Sequence, residues 1–226
     1  MKNIAIIPAR SGSKGLKDKN ILELNGKPLL AYSIIAAQES GLFDEIMVST
    51  DSEIYAEIAK KWGASVPFLR STENSTDKAG SWDVVKEVLI NYKSLGKEYD
   101  TVTLLQPTSP LRTKEDIINA FETLENTSSD AVTSVCETDH SPLWCMTLDE
   151  SRSLIEFRKN MADCPRQQLS TYYRFNGAIY IRRIGYNDND IQILSNTETA
   201  YIMDRKHSID IDTEIDFRIA ECFMNL

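Results

Sequence analysis

The sequence predicts an α/β fold, a mostly parallel β-sheet with helices packed against both faces. Two observations carry the prediction. Short β-rich runs alternate with helix-period stretches through the first 135 residues, and alternation of that kind implies right-handed crossovers between parallel strands. The chain is also large enough for one core. With 226 residues, 42% of them hydrophobic, it buries roughly 70 to 75% of its unfolded surface without help from disulfides or metal. A single domain over residues 1–226 is the expectation.

The β-rich runs are residues 4–8, 45–49, 66–69, 101–105 and 131–135. Between them, residues 81–93 place Trp82, Val85, Leu89 and Tyr92 on one helical face, with Ser81 positioned to cap the N-terminus. Residues 114–124 repeat the pattern behind Thr113, with Asp116 three positions on as in a capping box. The rhythm breaks over residues 136–175, where Pro142 and Pro165 forbid a long helix. Residues 143–148 and 154–157 flank a turn-like stretch at 149–153 and read as a β-hairpin arm. Its apolar content (Leu143, Trp144, Met146, Leu148, Phe157, Tyr172, Tyr173) exceeds what an isolated hairpin can shelter, which makes a second subunit the expected cover. A strand at 178–181, a polar loop near 187–190, a strand at 201–203 and a helix from about Thr213 complete the chain.

Composition excludes several classes of partner. Twenty-five Lys and Arg against 34 Asp and Glu give a net charge of -9, whereas nucleic acids and anionic membranes reward a basic face. The longest uncharged run of the N-terminal half, residues 28–38, falls well short of the roughly 20 residues that span a bilayer. Arg10 interrupts the apolar run 4–9, so no signal peptide is read there. Cys136, Cys145, Cys164 and Cys222 form no C-x-x-C pair, and reduced thiols in a cytoplasmic protein are the expectation. A zinc set of Cys136, His140, Cys145 and Cys164 would need irregular spacing.

In an open α/β sheet, ligands bind beyond the carboxyl ends of the strands. The segments expected there are residues 9–20, 50–51, 70–80 and 106–112, all polar. The first, Ala9-Arg10-Ser11-Gly12-Ser13-Lys14-Gly15-Leu16-Lys17-Asp18-Lys19-Asn20, carries four cations and one anion. Its glycines let backbone N–H groups wrap an anion, which suits a triphosphate; a solvated basic loop has the same composition. It matches neither G-x-G-x-x-G nor the Walker A pattern.

A second signal is Ser208-Ile209-Asp210-Ile211-Asp212. In an extended chain residues i and i+2 share a face about 6.6 Å apart. Asp210 and Asp212 can then hold a hard cation such as Mg²⁺ while Ile209 and Ile211 enter the core, although a half-exposed strand alternates in the same way. In residues 105–112 two prolines stiffen a loop where Gln106, Thr108 and Arg112 could read a sugar or phosphate; a proline-braced connection whose Arg112 merely caps a carbonyl has the same composition. Arg166, Gln167 and Gln168, with Arg174 and Asn176, suit either a carboxylate or polyol or an interfacial hydrogen-bond set.

Taken in order, residues 7–15, 104–112, 165–169, 176–180 and 208–214 resemble the bacterial CMP-sialic acid synthetases, the N-acylneuraminate cytidylyltransferases. The resemblance implies a Rossmann-like three-layer sandwich of the nucleotidyltransferase type, with a dimerisation arm at about 136–175. It implies condensation of CTP with a nonulosonic acid to give the CMP-sugar and pyrophosphate, with Mg²⁺, in a homodimer. Arg10, Lys19 and Asn20, with Ser11 and Gly12 of the same loop, resemble the triphosphate and ribose contacts. Arg70, Ala79 and Ser81 resemble the cytidine pocket. Gln106, Asn176, Tyr180 and Arg166 resemble the acceptor contacts, with Arg166 entering from the partner subunit, and Asp210 and Asp212 match the metal ligands. Trp144 stands where the sialic acid enzymes often carry a Lys facing the sugar, and Ile193 and Leu194 stand where they often carry an aromatic pair. These departures bear on the sugar and leave the triphosphate chemistry untouched.

Only two histidines exist, His140 and His207, and neither is expected to be the base; Asp212 is expected to accept the proton beside the metal. Two rival readings remain. A glycosyltransferase also carries an acidic D-x-D on an α/β nucleotide-binding domain but releases no pyrophosphate. A non-catalytic nucleotide-binding module would bind CTP without turnover.

Overall fold

The computed structural model describes residues 1–13, 15–160, 169–187 and 190–225. Its centre is a seven-stranded sheet. In chain order the elements are β1 (Asn3–Pro8), β2 (Glu23–Leu24), β3 (Lys27–Pro28), α1 (Leu29–Ser40), β4 (Glu45–Ser49), α2 (Glu53–Lys61), α3 (Ser81–Ser94) and β5 (Thr101–Leu105). There follow α4 (Lys114–Thr127), β6 (Ala131–Glu137), α5 (Ile155–Asn160), β7 (Tyr173–Tyr186), β8 (Ile191–Ile193), β9 (Glu198–Ile202) and α6 (Glu214–Met224).

The strand order is β4-β1-β5-β7-β6-β9, with β8 hydrogen-bonded to the end of β7 and β2-β3 forming a small separate ribbon. β1 runs parallel to β4 and β5, and β6 parallel to β9, while β7 runs against β5, β6 and β8. The sheet is therefore mostly parallel, with one long reversed strand inserted near its middle.

Alternate residues of β1 feed two cores. Ala5 and Ile7 join Ile34 of α1, Tyr55 of α2 and Phe121 of α4, whereas Ile4 and Ile6 join Val85, Leu89 and Tyr92 of α3. Helices on both faces explain why β1 reads as a continuous apolar run instead of an alternating one. Full burial of each isoleucine, leucine, valine or phenylalanine among them stabilises the fold by roughly 1.5–3 kcal/mol. A third, smaller cluster packs Leu24 and Leu29 against Ile211 and Ala220 of α6. That cluster seats the Ile209/Ile211 segment beside the β2-β3 ribbon.

The capping box behind α4 forms as expected, with the Asp116 carboxylate accepting the Thr113 N–H at 2.9 Å. Ahead of α3 the cap is Gly80, not Ser81: the Gly80 N–H donates to the Asp83 carboxylate at 3.2 Å, and Ser81 begins the helix. Residues 66–69 form no strand. Ser65 alone bridges Met47, and Pro67, lacking an N–H donor, stops the ladder.

The expected β-hairpin is also absent from the described residues. Residues Pro142–Trp144 form a 3₁₀ turn capped by Ser141, and α5 occupies the second half. Proline at the first helical position favours a turn there. Leu143, Leu148 and Ile155 are left exposed. Among the described residues no helix is long and apolar enough to cross a membrane. No group of three or more His, Cys, Asp or Glu among them is arranged to hold a metal, and Cys164 of the zinc set lies outside them.

Candidate active site

The ends of β1 and β5 open onto a cavity of about 530 Å³. Its lining includes Arg10, Lys19, Asn20, Arg70, Ala79, Ser81, Gln106, Asp210 and Asp212, so segments from both ends of the chain meet in one place. The meeting is by direct contact. Lys19 Nζ donates to the Asp212 carboxylate at 2.9 Å and to the Ile211 carbonyl at 2.7 Å. Gly15 sits where any side chain would crowd the loop, because an added Cβ would lie 3.0 Å from the Asp212 carbonyl oxygen.

Local chemistry shapes the cation loop. Ser11 gives both its N–H (2.7 Å) and its hydroxyl (2.9 Å) to Asp51, just beyond β4. Burial raises the Asp51 carboxyl, but the two Ser11 hydrogen bonds and the Arg70 charge override it and leave the group below its ordinary value. Asn20, buried, donates to the Arg10 carbonyl at 3.1 Å, and the Tyr55 hydroxyl holds the Asp18 carboxylate at 3.1 Å. Gly12 takes φ +71°, a left-handed turn that favours glycine. Ser11 and Gly12 thus shape the loop without lining the cavity. Arg10 reaches the rim, where its guanidinium pairs with Asp77 at 2.6 Å.

Arg70 is buried and committed to Ser49, through Nε to the hydroxyl at 2.9 Å and through Nη2 to the carbonyl. Desolvation lowers its pKa to about 10, against the raising influence of Asp51 and Glu87.

The acidic segment is tied to its neighbours along the backbone. The Ile211 N–H donates to the Thr108 carbonyl at 2.8 Å, and the Asp212 N–H donates to Asp216 at 3.2 Å in the first turn of α6. Ile211 is buried and Ile209 partly so, in line with the expected alternation. The two acids differ in setting: Asp212 is exposed, while Asp210 Oδ1 is buried without a hydrogen-bond partner among the described residues. Burial, with the Asp212 charge, raises the Asp210 pKa despite a hydrogen bond from Thr108 and the nearby charges of Lys19 and Arg174. A buried, unpaired carboxylate oxygen beside a second carboxylate fits a hard divalent cation, because such an oxygen is costly unless a cation or donor completes it.

Between β6 and β7 the register slips from Thr133↔Tyr180 to Val135↔Phe175. The slip aims Gly177 (φ +76°) at the cavity, so close that an added Cβ would lie 2.8 Å from Gln106 Oε1 and 3.3 Å from Asp210 Oδ2. Tyr180 packs edge-on to Trp82 with centroids 6.4 Å apart. Desolvation raises its pKa, with the Asp210 and Glu198 charges adding to the effect.

Asn176 stands apart from the expected acceptor contacts. It is buried, accepts the Ser134 hydroxyl at 2.6 Å and donates to Ser208 Oγ at 2.9 Å, which makes it a brace for the acidic segment. Arg112 also turns inward, onto the carbonyls of Gln106 (3.3 Å) and Ala178 (2.8 Å), and desolvation lowers its pKa to about 9. Arg166 lies outside the described residues. His207 points away from the acids, its Nδ1 lying 3.0 Å from Asp116. The sequence places residues 50–51 and 70–80 near the ligand without singling out Asp51, Asn74 or Asp77, whose side chains meet Ser11, Glu87 and Arg10.

The sheet order and the cavity beyond its strand ends define the class, a Rossmann-like α/β fold of the nucleotidyltransferase type. A solved structure of CMP:2-keto-3-deoxy-manno-octonic acid synthetase complexed with CTP shares the fold, at TM-score 0.70 and 17% identity over 100% of this chain and 99% of that one. The Cytidylyltransferase family model matches residues 4–218. The CMP-N,N'-diacetyllegionaminic acid synthase of Legionella pneumophila is 37% identical over 100% of this chain and 97% of its own length. The N-acylneuraminate cytidylyltransferase of Escherichia coli is 41% identical over 97% of this chain, which spans 51% of that relative's length. The pseudaminic acid cytidylyltransferase of Campylobacter jejuni is 34% identical, covering 98% and 95%. The chain belongs to the cytidylyltransferase family.

Proposed function

We propose that the protein condenses CTP with a nonulosonic acid of the sialic type, giving the CMP-sugar and pyrophosphate. The contact that carries the reading is Lys19 Nζ on the Asp212 carboxylate at 2.9 Å, which brings the phosphate-binding loop and the acid pair into one cavity. The family membership and the three relatives above, each named for making a CMP-linked nonulosonic acid or for a cytidylyltransfer to one, support the same reaction.

The charge to be handled is large. CTP carries about four negative charges, and one opposite unit charge at 4 Å offsets only about 4 kcal/mol at an effective dielectric of 20. Arg10 and Lys19 together bind the β and γ phosphates and stabilise the departing pyrophosphate. Ser11 and Gly12 give the loop its shape, and Asn20 fixes the Arg10 backbone beside the ribose. Arg70, Ala79 and Ser81 enclose the cytidine. Gln106 and Tyr180, with Arg166 from a second subunit, orient the acceptor so that its anomeric hydroxyl lies in line with the α-phosphorus.

Asp210 and Asp212 would hold Mg²⁺, which when bound supplies charge neutralisation at the phosphates and acidifies the attacking hydroxyl. Asp212, the exposed member of the pair, takes the hydroxyl proton, and neither histidine lines the cavity to compete for it. A homodimer covers the exposed apolar residues at 143–155, and the free thiols of Cys136, Cys145 and Cys222 suit a reducing cytoplasm that holds CTP.

The test is pyrophosphate release from CTP with a panel of sialic, legionaminic and pseudaminic acids and the eight-carbon acid Kdo. Release with a nonulosonic acid, matched by formation of its CMP adduct, is expected. Consumption of a nucleotide sugar without pyrophosphate, or CTP binding with no turnover on any acid, would contradict the reading. Trp144, Ile193 and Leu194 bear on which acid ranks first.

A further inference from the structure

We infer that Glu87, which lies outside the cavity lining, is the positioning residue that sets the base-binding wall of the nucleotide site. The inference rests on the nucleotide reading above. Residues 70–79 supply Arg70, Asn74, Thr76, Asp77 and Ala79 to the cavity, yet no strand holds this segment in place. Its first anchor is the Arg70 N–H on the Thr50 carbonyl at 2.8 Å. Its second is a single carboxylate from the second turn of α3. Glu87 Oε1 accepts the Ser71 N–H at 2.7 Å, and Oε2 accepts the Ser71 hydroxyl at 2.8 Å and the Asn74 side-chain amide.

The rest of the turn is wound on Ser71. The Ser71 carbonyl accepts the Ser75 hydroxyl at 2.6 Å, and Ser71 Oγ accepts the Asn74 N–H at 3.3 Å. One carboxylate with three donors therefore fixes where Asn74 and the start of the segment sit. It is also a counter-charge to the buried Arg70. Burial raises the Glu87 carboxyl, but the Asn74 and Ser71 hydrogen bonds and the Arg70 charge outweigh it and leave the group below its ordinary value. None of these contacts involves Lys19, Asp210 or Asp212, and they fix Ser71 and Asn74, upstream of Asp77, whose carboxylate pairs with Arg10 at 2.6 Å.

The test is equilibrium binding of CMP, CTP and inorganic tripolyphosphate to the full chain and to Glu87→Gln. Loss of a charged hydrogen bond should weaken CMP and CTP by the same factor, about tenfold, and leave tripolyphosphate unchanged. Unchanged CMP binding, or an equal loss for tripolyphosphate, would overturn the inference. If Glu87→Gln fails to fold, Ser71→Ala removes one hydroxyl and should weaken CMP by about threefold with tripolyphosphate again unchanged; unaltered CMP binding there also overturns it. Wild-type protein that binds neither CMP nor CTP would sink the nucleotide reading itself, whereas wild-type binding with an unaffected Glu87→Gln sinks this inference alone.

Discussion

Lys19 and Asp212, 193 positions apart in the chain, meet across the mouth of one cavity at 2.9 Å. The Lys19 side chain is only 13% exposed while that of Asp212 is 74% exposed, so the lysine is held in place and the acid can exchange partners. Lys19→Met should therefore lower kcat by roughly two to three orders of magnitude, the usual cost of removing a donor aimed at developing charge. Asp212→Asn should lower kcat by at least about two orders while leaving metal-free CTP binding nearly intact. Steady-state pyrophosphate release with parallel CTP titrations checks both.

The Arg10–Asp77 pair is partly exposed, at 30% and 37%, and its carboxylate sits on a cation proposed to bind the triphosphate. An exposed pair is worth up to about 1 kcal/mol, so Asp77→Asn should tighten triphosphate binding by up to about fivefold. Cytidine itself should bind unchanged. A double-mutant cycle with Arg10→Met checks the assignment, because the gain should vanish once Arg10 is gone.

The Asp51 carboxyl, held low by Ser11 and Arg70, predicts a pH dependence of stability. A depressed native pKa gives stability that is present above the unfolded value of about 4 and is lost as pH falls through the lower native value. Asp51→Asn should cost about 1–2 kcal/mol near neutrality, and the difference from wild type should shrink steadily below about pH 4. Urea unfolding of both proteins across that range measures it.

Asn176 braces Ser134 and Ser208 from within the core. Asn176→Ala should destabilise the fold by about 2–3 kcal/mol, because partners on both sides lose a buried hydrogen bond. Calorimetric melting reads the loss. A selective rise in acceptor KM at unchanged Tm would instead make Asn176 a substrate contact.

What was legible in the sequence was local. The Thr113–Asp116 box, the buried β1 run and the paired acids each announce themselves within a few residues. Residues 143–148 and 154–157 read as hairpin strands because short apolar runs fit either period, whereas the structure starts a 3₁₀ turn at Pro142 behind the Ser141 cap and a helix at Ile155. Residues 66–69 looked strand-like in composition, but Pro67 cannot donate to a ladder. The roles of Asp51, Asp77 and Glu87 had no local signature. Asp51 acts on Ser11 across 40 positions, and such a pairing exists only once the sheet brings the ends of β1 and β4 together. Arg112 shows the same limit: composition left phosphate and carbonyl open, and the fold turned it onto two carbonyls.

In the proposed reaction one cavity grips a metal-bound nucleotide through Asp210 and Asp212. The most direct test is calorimetric CTP binding with and without Mg²⁺, to wild type and to Asp210→Asn. Mg²⁺ should tighten CTP binding to wild type by about tenfold or more and leave binding to Asp210→Asn unmoved. An identical Mg²⁺ dependence in the two proteins would contradict it.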